Sequence, residues 1–237
     1  MDQIILTPTA RNSIVIIICL ILFFIAASFI IKRADPTKPS TGIMWLLEVI
    51  YSLLADFTTD AIGEKSAKFI PFVTTAASYL AVANLLGLIG LTPPTSNINI
   101  TVALTILTLT YIMASGIISK GFWRYLRDTY VGDIKGFLLV LLIPITIIGE
   151  LSKIISLSFR LFGNVVSGVM ILTLLMQFMI WLFGVIPPVG AIGSILMNIS
   201  VLPFLNAYFD IFAGLMQTFI FCTLTTMFIK TATENQG

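Results

Sequence analysis

The chain contains no histidine. That excludes histidine-based metal sites, nucleophile–histidine pairs and imidazole proton relays. Its two cysteines, Cys19 and Cys222, lie far apart, each inside an apolar run. Such spacing supports neither a disulfide framework nor a thiolate metal site, so both read as small buried hydrophobes. Charge is scarce: 10% of residues are charged, where a soluble domain carries about 25%. Glycine-rich nucleotide loops and nucleophile constellations are absent, as are basic stripes with interleaved aromatics for nucleic acid. The sequence therefore offers no resident cofactor, no metal and no catalytic residue of its own.

What fills the space is apolar: 58% of the 237 residues are hydrophobic. A chain so poor in polar groups cannot cover itself in water but can face lipid. At roughly 20 apolar residues per membrane pass, the expectation is an all-α integral membrane protein with about five transmembrane passes, forming a single membrane domain over 1–237. The first span is 13–31. It is too long for a signal core, has one Arg and one Asp before it, and lacks a small-x-small cleavage pattern, so it reads as a retained span. Lys32, Arg33 and Lys38 follow it, with Pro36 and Pro39 stopping the helix.

In the segment 41–68, Met44, Leu47, Ile50, Tyr51, Leu54 and Phe57 recur at three-and-four spacing. Glu48, Asp56 and Asp60 lie largely on another face. This predicts an amphipathic interfacial helix over 41–60. The second span is 69–91, interrupted by Asn84 and Gly87, and an uncharged turn follows over 92–99. The third is 100–118, followed by a basic, mostly polar connector over 119–135.

The rest differs in kind. From 137 to 183 no long polar break intervenes and no proline follows Pro144. As one helix this segment would extend about 70 Å, more than twice the roughly 30 Å hydrocarbon core. Pro187 and Pro188 predict a turn, and a second long arm runs over 189–229. The expectation is a long, strongly tilted helical hairpin, with Gly149, Gly163, Gly190 and Pro203 as places where an arm could break. Basic residues set the orientation. Of 13 Lys and Arg, five lie in the 32–68 connector and four in the 119–135 connector, while the turns at 92–99 and 184–190 have none. The positive-inside rule then places the N-terminus outside and the C-terminus in the cytoplasm.

Four charged residues fall within the hairpin: Glu150, Lys153, Arg160 and Asp210. A charge at the bilayer centre costs at least about 2.5–3.5 kcal/mol, so such residues face protein or a water-filled cavity. A buried ion pair that orders the helices is one reading. Ion translocation is the other, and the helical geometry favours it. At 100° per residue, Lys153, Ser156, Arg160, Asn164 and Ser167 form one polar stripe, and Asn206, Asp210 and Gln217 form another on the facing arm, with Gly214 beside it. An arginine stays protonated and so relays no protons. It can act as a fixed charge: at about 4 Å and an effective dielectric of 20 it attracts a carboxylate by about 4 kcal/mol, enough to make that group release its proton or cation.

The segment GELSKIISLSFRLFGNVVSG, residues 149–168, resembles the signature of subunit a of the membrane (Fo) sector of rotary F-type ATP synthases. Its core, SLSFRLFGN over 156–164, is the most specific part. The segments at 69–104 and 210–229 also resemble the family, and the likeness covers roughly residues 40–232. The resemblance implies an ion-translocating stator subunit beside a ring of c subunits, with two offset half-channels coupling H+ or Na+ flow to rotation and ATP synthesis. It implies b-type peripheral stalk subunits as partners, the F1 sector indirectly, and the lipid of a bacterial inner membrane or an organellar energy-converting membrane. By the same resemblance Arg160 matches the essential arginine between the half-channels. Asn164 matches the asparagine one turn later, and Gln217 the glutamine that faces the arginine. Lys153 and Ser156 fall where bacterial members are often polar. Glu150 and Asn206 complete the expected ion-translocation set. Two positions depart from the family's pattern: Val169 stands where Glu or His is frequent, and Asp210 where His or Glu is frequent. Asp210 is thus left to serve alone in the half-channel open to the outside. The competing reading is a free-standing channel or secondary transporter, against which stands the lack of a clear internal repeat.

Overall fold

The computed structural model describes residues 8–33, 42–63, 66–89, 91–130, 138–184, 199 and 201–234. All regular structure among them is helical. The long elements are α1 (Pro8–Arg33), α2 (Ile43–Ile62), α3 (Ile70–Leu85), α4 (Ile98–Lys120), α5 (Phe122–Tyr130), α6 (Leu138–Gly184), α7 (Leu202–Tyr208) and α8 (Gly214–Thr233). A π-helical turn, Phe209–Ala213, joins α7 to α8. Among the described residues, five helical stretches are long and apolar enough to cross a membrane: Thr9–Ser28, Ile70–Ile89, Ile98–Lys120, Ile143–Leu182 and Pro203–Thr233. The protein is an all-α integral membrane protein.

Local chemistry sets the ends of these helices. Gly63 and Gly121 close α2 and α4 at φ 89° and 86°, in the left-handed region that favours glycine, and return their N–H groups to Thr59 O and Ile117 O at 2.7 Å. Asn97 caps α4 by accepting from the Asn99 N–H at 2.9 Å. Pro71 falls in the first turn of α3, where its missing N–H costs nothing. Many hydroxyls of the interior donate back to the carbonyl four residues earlier, among them Thr58, Thr105, Thr108, Ser115, Thr226 and Thr233. In a chain surrounded by lipid this keeps buried hydroxyls satisfied without water.

The interior lies among α3, α4, α6 and α8. One apolar cluster joins Phe69, Val73, Ala77, Leu109, Ile112, Cys222 and Ile229. A second joins Leu80, Leu157, Leu161 and Phe221. α1 stands at the edge, held by Asn12 Nδ2 donating to Thr92 O (3.0 Å) and by the Ser13–Tyr79 hydroxyl pair (3.1 Å). The outward faces are rows of exposed Ile, Leu, Phe and Val, the surface that lipid wants.

Several expectations are corrected. Cys19 is not buried but lies on the exposed face of α1, while Cys222 is in the core. On α2, Leu54 and Phe57 pack against the core, so part of the apolar face of that helix meets protein, while Ile50 and Tyr51 stay exposed. The connector after α4 carries a further helix, α5, whose Tyr125 is buried under α4 while Phe122 and Trp123 stay outside. The reason is space: a Cβ on Gly116 would stand 2.5 Å from the Tyr125 ring, so that glycine admits it. α6 runs unbroken for 47 residues through Pro144, Gly149 and Gly163. The second arm carries a π-helical turn at Phe209–Ala213, and Pro203 stands in the first turn of α7. The expected turn at Pro187–Pro188 and the Gly190 position lie outside the described residues.

Candidate functional site: two cavities and the arginine between them

Two cavities open at opposite ends of the bundle. The first, about 330 Å³, lies beside the turn that precedes α4 and is lined by Thr92 and Pro93 of that turn. Asn84 and Gly87 also line it, with Asn164 and Val169 of α6 and Asn206, Asp210 and Gly214 of the second arm. The second, about 220 Å³, lies at the far end of α4, lined by Lys120, Tyr125, Asp128, Thr146, Glu150, Lys153, Phe228 and Thr231 among others.

The first cavity is built by amides. Asn84 is almost fully buried in α3, a helix otherwise made of apolar and small residues. Its Nδ2 donates to Gly214 O at 3.2 Å, and its Oδ1 accepts from the Thr95 hydroxyl at 3.0 Å. From the other side Asn164 Nδ2 donates to Ala213 O at 3.1 Å. The Thr218 hydroxyl also donates to Gly214 O, at 3.0 Å. Side chains from two other helices thus hold the carbonyls at the end of the π-helical turn. A π-helical turn interrupts the regular helical ladder, and these side-chain donors brace the backbone where it ends. Asp210 sits within that turn, half-buried, its carboxylate against Gly87. Val169 and Asp210 line the same cavity although 41 positions separate them in sequence.

The second cavity is built by charges. Glu150 and Lys153 form an ion pair at 2.6 Å, one turn apart on α6. Lys153 Nζ also stands 5.0 Å from the centre of the Phe228 ring, a cation–π contact that shares the cost of placing an ammonium there. Lys120, its side chain buried, faces Asp128 of α5 at 3.8 Å.

Between the two sets on α6 stands Arg160. It is exposed, lines neither cavity, and has no ion pair or hydrogen bond among the described residues. Ser156, one turn earlier, is exposed on the same helix. The expected stripe is therefore divided: Asn164 and Lys153 turn to protein partners, whereas Ser156 and Arg160 face outward. On the facing arm Asn206 is exposed, Asp210 half-buried and Gln217 buried. Among the described residues Gln217 Nε2 has no hydrogen-bond partner, and no hydrogen bond joins Gln217 to Arg160. Reading the sequence alone missed the roles of Asn84, Thr95, Lys120 and Asp128 in these cavities. An asparagine inside an apolar run was the available signal for the first pair, because a buried amide must find partners.

The family model described as ATP synthase A chain matches residues 13–230, nearly the whole chain. The chain belongs to the ATP synthase A chain family. Relatives named ATP synthase subunit a agree with this. The one from Mycoplasma pneumoniae is 32% identical over 218 residues, covering 89% of this chain and 74% of the relative. That from Aliarcobacter butzleri is 33% identical over 206 residues, covering 85% and 81%. That from Helicobacter pylori strain P12 is 30% identical over 220 residues, covering 92% and 87%. This member of the family is accordingly a multi-pass membrane subunit of a larger complex, and proton transport follows from the family.

Proposed function

We propose that this chain is the ion-translocating stator subunit of an F-type ATP synthase, and that the two cavities are its half-channels. The reading is carried by one observation: the cavities lie at opposite ends of the bundle, with Arg160 on α6 between their linings and lining neither. In this reading the chain forms no chemical bond itself. The cavity beside the 92–97 turn opens to the outside, and the one beside Lys120 and α5 opens to the cytoplasm of a bacterial cell, as the basic connectors require. A proton enters the outer cavity, is held by Asp210, and passes to a carboxylate of a c-subunit ring seated against the Ser156–Arg160 face. After a turn of the ring that carboxylate releases the proton through the cytoplasmic cavity, near Glu150 and Lys153. A protonated carboxylate cannot cross the guanidinium without losing its proton's advantage, since the fixed charge favours the ionised form by about 4 kcal/mol at about 4 Å and an effective dielectric of 20. Ions then cross only with rotation. Peripheral stalk subunits of the b type hold the chain still against the ring.

The test is Arg160→Ala in membranes carrying the whole complex. Assembly is expected to persist, because Arg160 is exposed and packs no core, and ATP-driven ion pumping is expected to vanish. Arg160→Lys should nearly abolish it. Pumping at the wild-type rate in Arg160→Ala would overturn this role.

A further inference from the structure

We infer that Gly87 is a positioning residue for Asp210: the side chain that Gly87 lacks is the slot in which the Asp210 carboxylate sits. The inference rests on the role proposed above for Asp210. A Cβ built on Gly87 would stand 2.5 Å from Asp210 Oδ2 and 2.7 Å from both Cγ and Oδ1. All three separations are well inside van der Waals contact. Backbone freedom does not explain the glycine, because its φ is not in the left-handed region. Space does. By contrast, a Cβ at Gly149, Gly163 or Gly168 of α6 would meet nothing within 4 Å.

The close approach has a structural cause. Gly87 follows Asn84 by three residues, in the short 3-10 turn Leu86–Ile89 that ends this segment. Asn84 bonds Gly214 O, and a Cβ on Gly214 would lie 2.9 Å from the Asn84 Cβ, so the two backbones are nearly in contact there. Asn164 holds Ala213 O from the other side. The backbone after Asp210 is thus fixed relative to Gly87 from two directions. The soft part is the Asp210 side chain itself. A methyl group at residue 87 does not have to unfold anything. It pushes the carboxylate out of its seat, into the open part of the cavity toward Val169 and Asn206. An ion relay depends on where the carboxylate stands, and a displacement on the order of 1 Å can cost about 100-fold in rate.

The experiment compares Gly87→Ala, Asp210→Asn and the double variant in membranes carrying the complete complex, reading ion-driven ATP synthesis and the amount of assembled complex. Gly87→Ala is expected to assemble and to lose roughly 10- to 100-fold in synthesis. Added to Asp210→Asn it should cost nothing more, because both changes act through one carboxylate. Wild-type synthesis by assembled Gly87→Ala overturns the inference, as does a double variant whose loss is the product of the two single losses. Should Gly87→Ala fail to assemble, Gly87→Ala combined with Asp210→Gly decides: vacating residue 210 must restore assembly, and failure to do so means that the clash is elsewhere and overturns the inference. Full activity of Asp210→Asn defeats the underlying role of Asp210, and the slot with it. Full activity of Gly87→Ala beside an inactive Asp210→Asn defeats the slot alone.

Discussion

The amide of Asn84 ties three segments together, and its removal has a size that can be worked out. Asn84→Leu keeps the branched shape and heavy-atom count and deletes two hydrogen bonds, one to Gly214 O and one from Thr95. Gly214 O retains the Thr218 hydroxyl, so that acceptor is not stranded. The Thr95 hydroxyl, on a residue 1% exposed, loses the partner it has. Interhelical hydrogen bonds in membranes average about 0.6 kcal/mol each, which sets a floor near 1 kcal/mol for two. A stranded buried hydroxyl costs about 1–3 kcal/mol, which sets the ceiling near 3. The expected loss is therefore about 1–3 kcal/mol. Thr95→Val alone strands Asn84 Oδ1 and should cost about 1–2 kcal/mol. The double variant should cost less than the two losses combined, by about 1 kcal/mol, because each single variant strands what the other removes. The assay is detergent-driven unfolding of the purified chain in mixed lipid micelles, followed by fluorescence of Trp45, Trp123 and Trp181. Asn84→Leu within about 0.5 kcal/mol of wild type, or strict additivity of the pair, would refute this account of how the first cavity is held, since independent sites add to within about that margin.

Two further outcomes follow from the placement of single residues. Asp210→Asn keeps size and polarity but cannot titrate, so ion-driven ATP synthesis in inverted vesicles should fall by about 100-fold or more, the scale of a lost general acid–base group. Adding Val169→Glu returns a carboxylate to the same cavity and should recover part of that loss; if only this rescue fails, Asp210 keeps its role but position 169 cannot replace it. Gln217→Leu should leave assembly unchanged, because Gln217 Nε2 has no hydrogen-bond partner among the described residues, and should lower synthesis by less than about 10-fold, as expected for one neutral hydrogen-bonding group.

The helices were legible in the sequence because lipid demands long apolar runs, but that α6 continues through Gly149 and Gly163 as one 47-residue helix was not. Arg160 and Asp210 were legible because a charge in such a run has to be explained. What could not be read was how residues from distant helices converge. Nothing in a one-dimensional pattern places Val169, Gly87 and Asp210 around one cavity, or tells that Lys153 turns to Glu150 and Phe228 while Arg160 has no ion pair among the described residues. A helical-wheel stripe treats the helix as straight and regular, and the π-helical turn at Phe209–Ala213 shifts the register of the facing arm. α5 escaped notice because its nine residues are too few for a span and too charged to look apolar. It folds by resting Tyr125 on Gly116, a long-range fit that local composition does not announce.

The central claim, that the two cavities open to opposite sides of the membrane, is tested most directly by one labelling experiment. In a background carrying Cys19→Ser and Cys222→Ala, single cysteines are placed at Asn206 in the first cavity and Thr231 in the second. Each is exposed to a membrane-impermeant thiol reagent in right-side-out and in inverted vesicles that hold the complete complex. The account predicts that residue 206 reacts only in right-side-out vesicles and residue 231 only in inverted ones. Labelling of both positions from the same side would contradict it.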